Sequence, residues 1–324
     1  MVARRAHVQG LTRAGAGPQA RPAPAGDRPN LGRCVMLRAA AALVALVLGA
    51  GISVDNAGAQ GPGGRLNSVA ATKIVKIAHR TDATPFSFVT GDRNEPRGYT
   101  IDICKQVVAS LGRQLGIQDL KVEWVPVTTQ TRFEVLASGQ ADLECGSSTV
   151  TLGRMKLVDF SNYVFVETTG LVVRNAAGIS SLKDVAGKKI AVIAGTSNET
   201  AVVLQNRQQQ LNAIVLPVKD RDEAIAALDS GQADAFASDK LLLVGTRFKD
   251  QQAVRLLPDD ISIEPYAIAL PRGDWELRLA VNTALAEIYR GGEVKKIFDR
   301  WFGQLGFQPG VLLSAAYLLG ALSE

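Results

Sequence analysis

Ser138-Gly139-Gln140-Ala141-Asp142 recurs further along the chain as Ser230-Gly231-Gln232-Ala233-Asp234. In each copy an apolar helical pattern comes before and a short strand pattern comes after. The glycine ends the helix in the left-handed backbone region, which residues carrying a Cβ resist. A polar cluster then stands where each strand ends: Gly146-Ser147-Ser148-Thr149 in the first copy and Ser238-Asp239 in the second. Open α/β sheets bind ligands beyond the carboxyl ends of their strands, so two such units would frame one site between two lobes. The competing reading is that these five residues are only a favourable helix stop, used twice.

The rest of the pattern agrees with an α/β fold of mostly parallel strands. Strands are expected over Lys73–Ala78, Val122–Val125, Leu171–Val173, Lys189–Ile193, Ala213–Leu216 and Tyr266–Leu270. Helices are expected from Tyr99 to about Leu115, and over Arg132–Ala137, Thr200–Gln210, Asp222–Leu228, Trp275–Tyr289 and Val294–Phe302, with a last apolar one near Leu312–Leu322. A short Gly-rich linker is expected ahead of the first strand. The elements after Tyr266 are expected to return to the first lobe, with crossings near Val166–Gly170 and Asp260–Pro265.

A chain of 324 residues, 47% hydrophobic and 21% charged, can bury two ordinary cores and is not composed like a disordered one. Its net charge of +5 invites a nucleic-acid reading, but residues 1–59 hold seven arginines against Asp27 and Asp55. The remainder is formally neutral, so no nucleic-acid partner is expected. Met36-Leu37-Arg38, the apolar run Ala39–Ala50 and Ala57-Gly58-Ala59 have the three regions of a secretory signal peptide. Residues 36–59 are therefore expected to be removed after Ala59, giving a soluble periplasmic product. Residues 1–35 read as an extension outside the fold, with Met36 as a natural start. Cleavage removes Cys34 and leaves Cys104 and Cys145, which form either a disulfide or two separate buried thiols. His79 is then the sole histidine, so no metal site is expected, and no cofactor.

Several segments, in order, carry a resemblance. They are His79-Arg80 before Pro85-Phe86-Ser87, Gly98-Tyr99 before Asp102, and Val125-Pro126-Val127-Thr128-Thr129-Gln130-Thr131-Arg132. Then come Glu144-Cys145-Gly146-Ser147-Ser148-Thr149 with Arg154 beyond, Phe160-Ser161, Gly187-Lys188-Lys189 into Gly195-Thr196-Ser197, Lys219-Asp220, Ala235-Phe236 before Asp239, and Trp301-Phe302. From about residue 72 to about 303 the chain resembles bacterial solute-binding proteins of the polar amino-acid class, most closely their glutamate/aspartate-binding branch. The tail resembles them only weakly. The resemblance implies a two-lobed, type II periplasmic-binding-protein-like fold with a hinge and an interlobe cleft. Residues 72–168 and 264–324 would form lobe 1, and 169–263 lobe 2. The implied partners are a free amino acid and the permease subunits of an ABC transporter, with the protein a monomer.

An α-amino acid presents a carboxylate and an ammonium on one carbon, so its receptor needs a bidentate cation and an anion nearby. By resemblance Arg154 grips the α-carboxylate, with Ser147 and Thr149 completing that end. Asp239 accepts the α-ammonium from the other lobe. Arg80, Arg132 and Thr129 match the positions that hold a side-chain carboxylate, which is stable in a closed cleft only when paired. Thr196, with the amides of Gly195-Thr196-Ser197, would add an anion cradle. Arg221 stands where close relatives have a histidine, so it either reinforces acidic selectivity or swings into solvent. Blander roles exist for each: surface arginines, and helix caps for Asp239 and Thr196. The fold also hosts dehydratases, for which Glu144 is the carboxylate to suspect, and ligand-presenting sensory modules.

Overall fold

The computed structural model describes residues 64–91 and 95–323. The extension over 1–35 and the signal peptide over 36–59 lie outside the described residues.

One mixed nine-stranded sheet carries the fold. At one end β1 (Ile74–Arg80) lies between β4 (Lys121–Val127) and β5 (Leu143–Glu144), all parallel. At the other end β7 (Lys189–Ile193) lies between β8 (Ile214–Val218) and β9 (Ala235–Asp239), again parallel. Two long strands join these groups. β6 (Val158–Arg174) and β11 (Ser262–Pro271) pair antiparallel from Thr169 with Ser262 to Val158 with Pro271. Because β11 borders β5 and β6 borders β9, the pair runs from one lobe into the other. β10 (Val254–Leu256) extends the far end of β6, and β2 (Asp82–Ala83) with β3 (Ser87–Phe88) forms a separate hairpin. The sheet is thus less parallel than expected, since strands that cross and return must oppose each other.

In the first lobe α2 (Tyr99–Leu115), α7 (Trp275–Arg290), α8 (Glu293–Trp301) and α9 (Val311–Gly320) share one core with β1 and β11, built on Ile77, Val107, Ile268 and Phe298. Phe86, Tyr99, Phe165, Tyr266 and Phe302 meet there at tilted or edge-on angles, which aromatic quadrupoles favour. The short α3 (Glu134–Ala137) closes a smaller core with Ala78 and Phe160. In the second lobe α4 (Ser197–Gln208) covers one face of the sheet, while α5 (Arg221–Ser230) and α6 (Lys240–Val244) cover the other. Among the described residues no helix is long and apolar enough to cross a membrane.

The repeated five residues do the same work in both lobes. Gly139 and Gly231 have φ of +76° and +80°. Asp142 accepts the Lys76 amide at 2.8 Å, and the Asp142 amide returns a bond to the Lys76 carbonyl. Asp234 is joined to Lys189 in the same way, with its side chain accepting at 2.9 Å. An arginine crosses each glycine to pair with the aspartate: Arg65 with Asp142 at 3.5 Å and Arg174 with Asp234 at 3.1 Å. The motif therefore sets the register at which β5 and β9 enter the sheet.

Arg65 belongs to α1 (Gly64–Thr72), where a linker was expected. The Asp274 carboxylate, which accepts the Arg65 amide at 2.8 Å, anchors this helix. Helical starts and ends elsewhere differ by a few residues, most at α4, which begins at Ser197 where Thr200 was expected. Cys104 on α2 and Cys145 after β5 form a disulfide that fastens the helix to the sheet beside Gly146–Thr149.

Candidate functional site

Every strand end of the two parallel groups delivers a polar residue to one place. Arg80 is the last residue of β1, Thr129 follows β4, and Ser147 and Thr149 follow β5. From the second lobe Thr196 follows β7, Arg221 follows β8, and Asp239 ends β9. Arg132 and Arg154 come from the loop before α3 and the turn after Thr149. These nine residues line one narrow cavity, whose free volume is about 20 Å³. Ile193, Ser197, Asn198, Ser238 and Leu242 complete its wall.

The cavity wall is strongly cationic. Arg80, Arg132 and Arg221 are 5%, 4% and 7% exposed, although arginine almost always lies at the surface. Arg221 turns inward, against Phe236, and donates to the Thr246 hydroxyl at 3.2 Å. Arg80 is held by Asp82, whose two oxygens accept from one Nη at 2.6 and 2.8 Å. Arg132 lies over the Phe133 ring at 4.9 Å and Arg154 over the same ring at 5.5 Å. The buried Nε atoms of Arg80, Arg132 and Arg221 have no hydrogen-bond partner among the described residues. Burial, and then repulsion from Arg154, pushes the Arg132 pKa down to about 9, with Glu144 opposing. It stays charged at neutral pH. Such cations are costly to bury unless something anionic enters.

Asp239 is the one carboxylate on this wall. It stands at the N-terminus of α6, yet its side chain makes no capping bond to that helix. Instead its Oδ1 accepts from the Asn198 amide at 3.0 Å. Burial, with the Glu264 charge second, raises its pKa to about 6. The same Asn198 amide donates to the Thr169 hydroxyl at 2.7 Å. Thr169 in turn donates to Glu264 at 3.0 Å, and Glu264 also accepts from Thr149 at 2.7 Å. A buried polar chain thus runs from Asp239 in the second lobe, through both crossing strands, to the Ser147–Thr149 turn in the first.

Arg154 donates to the Thr149 carbonyl at 2.7 Å, which fixes its guanidinium at the cavity edge. Thr196 caps α4: its hydroxyl accepts the Glu199 amide at 3.1 Å and donates to the Ile193 carbonyl at 2.6 Å. Its side chain is therefore engaged in the cap, as ordinary capping predicts. The lobes touch across the cavity where Ser197 donates to the Thr149 hydroxyl at 3.2 Å and Gln130 donates to the Lys219 carbonyl at 2.9 Å. Asn198 went unassigned in the sequence. Its signal was a polar residue in the first turn of a helix at a strand's carboxyl end. Among the described residues no group of His, Cys, Asp and Glu side chains could hold a metal ion.

Residues 75–304 match the family model of bacterial extracellular solute-binding proteins, family 3. The chain is 33% identical over 270 residues to an L-glutamate/L-aspartate-binding protein of Pseudomonas aeruginosa, covering 81% of this chain and 86% of that one. It is 30% identical over 270 residues to the glutamate/aspartate import solute-binding protein of Escherichia coli K12, covering 81% and 87%. Among solved structures it is similar to an ancestral arginine-binding protein bound to glutamine, at 30% identity and a TM-score of 0.61, covering 71% of this chain and 98% of that one. It is also similar to an ancestral amino acid-binding protein that is a precursor of cyclohexadienyl dehydratase, at 28% identity and a TM-score of 0.63, covering 74% and 99%. With two α/β lobes, two crossing strands and a cleft between them, the chain belongs to the bacterial extracellular solute-binding proteins of family 3.

Proposed function

We propose that this protein binds an acidic amino acid, glutamate or aspartate, and delivers it to the permease subunits of an ABC transporter by closing its lobes. The observation that carries this reading is the convergence of Arg80, Arg132, Arg154 and Arg221 on one cavity whose wall offers only Asp239 in return. A neutral amino acid brings one carboxylate and one ammonium, and would leave a buried positive charge unbalanced. A second carboxylate relieves that cost. Arg154, with Ser147 and Thr149, takes the α-carboxylate, and Asp239 takes the α-ammonium. Arg80, Arg132 and Thr129 take the side-chain carboxylate, and Arg221 reinforces that end. The backbone amides after β7 add donors, while the Thr196 hydroxyl holds their geometry.

Residues 72–168 and 264–324 then move as one lobe against 169–263, about the crossing strands. Domain closure of this kind needs no covalent chemistry. The transporter follows from relatives whose names include import and ABC transporter binding proteins. We place the mature protein in the periplasm as a monomer, exported by residues 36–59. We read it as a receptor and not an enzyme. Glu144, the carboxylate suspected of acid-base chemistry, lies behind the arginines and outside the cavity lining.

Thermal-shift screening with single amino acids tests this, because a ligand that binds only the folded form raises its melting temperature. Glutamate or aspartate should give the largest shifts. No shift with glutamate, aspartate, glutamine or asparagine ends the reading. Conversion of prephenate or arogenate by the protein would replace it with an enzymatic one.

A further inference from the structure

The arginines of the cleft are backed by two carboxylates that do not line it. Glu144 is one of them. It forms the end of β5, paired with Ala78 on one side and Ala269 on the other, and is 0% exposed. A Cβ on Gly146 would fall 2.2 Å from Glu144 Oε1 and 3.2 Å from Arg80 Cγ. The carboxylate and the Arg80 stem therefore meet over a residue with no side chain. Burial raises the Glu144 pKa; Arg132 most strongly, then Arg80 and Arg154, face it and oppose that rise. Asp82 is the second. It holds Arg80 through both oxygens and is the strongest charge partner of Arg221.

The end of the cavity assigned above to the ligand side chain thus contains Arg80, Arg132 and Arg221 against Asp82 and Glu144. One positive charge is left over, and one carboxylate balances it. At the other end Arg154 faces Asp239 and Glu264, where the ligand brings a carboxylate and an ammonium together.

We propose that Glu144, with Asp82, acts from behind the arginine wall to set the charge of the ligand side chain the cleft accepts at a single negative. These two residues are specificity determinants that touch no ligand atom. They leave enough positive charge to favour glutamate over glutamine, and too little to leave the empty cleft with three unpaired cations. This rests on the assignment of glutamate or aspartate as ligand.

The test compares glutamate and glutamine binding by calorimetry at pH 7.5 for the wild type, Glu144→Gln and Asp82→Asn. Each substitution keeps the side-chain shape and removes one negative charge. Each should raise the ratio of glutamate to glutamine affinity by about tenfold or more, the scale of coupling between close buried charges. Asp82 is partly exposed, so its variant keeps the test available if Glu144→Gln does not fold. Wild-type binding with an unchanged or lowered ratio in the folded variants overturns this inference and leaves the amino-acid reading standing. Failure of the wild type to bind glutamate, glutamine, aspartate or asparagine removes both.

Discussion

Asn198 holds the Asp239 carboxylate at 3.0 Å with an amide that also grips Thr169 at 2.7 Å, so the proposed ammonium acceptor is tied to the crossing strands. A carboxylate that served merely as a helix cap would need no such support. Asn198→Ala should weaken amino-acid binding by about tenfold, the scale of one hydrogen bond to a charged group. Asp239→Asn should weaken it further, by roughly 10- to 150-fold on the same scale. Titration calorimetry on both variants checks the order.

Binding should fall in acid. Burial raises the Asp239 pKa to about 6, and an ammonium ligand prefers its ionised form, so binding lowers that pKa and releases the proton. Affinity is therefore full above about pH 6 and declines as the pH falls through it. In Asn198→Ala, which loses a bond that favours the charged carboxylate, the midpoint should move upward. Glu167 titrates higher, at about 8, because burial and then the Asp239 charge raise it. Comparing affinities between pH 5 and 7 for the wild type and Asp239→Asn separates Asp239 from Glu144, which burial also raises, and from His79, which burial lowers.

The Gln130 amide meets the Lys219 carbonyl at 2.9 Å across the closed cleft. It touches the second lobe from outside the cavity lining, so its loss should destabilise closure without removing a ligand contact. Gln130→Ala should raise the ligand dissociation rate about two- to tenfold, from roughly 0.5–1.5 kcal/mol for an exposed hydrogen bond. Stopped-flow release of ligand reads this directly.

The Cys104–Cys145 disulfide closes a loop with a sequence separation of 41 residues. Replacing both cysteines by serine should cost about 2–4 kcal/mol and lower the melting temperature by roughly 5–15 °C. Glutamate should still bind the folded variant, because neither sulfur lines the cavity. Melting curves with and without ligand separate the two effects.

Much of this was readable in the sequence because each lobe repeats one construction. Gly139 and Gly231 marked helix ends, Asp142 and Asp234 marked strand starts, and the polar residues just beyond marked the cavity. Among the candidate ligands, Ser147, Thr149 and Asp239 stand in the polar clusters that end the two repeated strands, whereas Arg80, Thr129, Arg132, Arg154, Thr196 and Arg221 were assigned by resemblance to the family. The length of β6 was not. Only Leu171–Val173 read as strand, because Ser161, Asn162, Glu167, Thr168 and Thr169 interrupt the apolar run where the strand crosses between lobes, the Thr169 hydroxyl donating to Glu264 and the Asn162 backbone amide to the Asn282 side chain. The antiparallel β6–β11 pairing is a long-range relationship that no local pattern encodes. Asn198 and Glu264 were missed for a related reason: their roles depend on partners brought together by that pairing.

The central claim is that buried arginines select an acidic side chain, and titration calorimetry of glutamate and glutamine against the wild type and Arg132→Gln tests it most directly. The wild type should bind glutamate more tightly than glutamine, and Arg132→Gln should lose that preference. Equal affinity for the two ligands in the wild type, or a preference that survives the substitution, would contradict it.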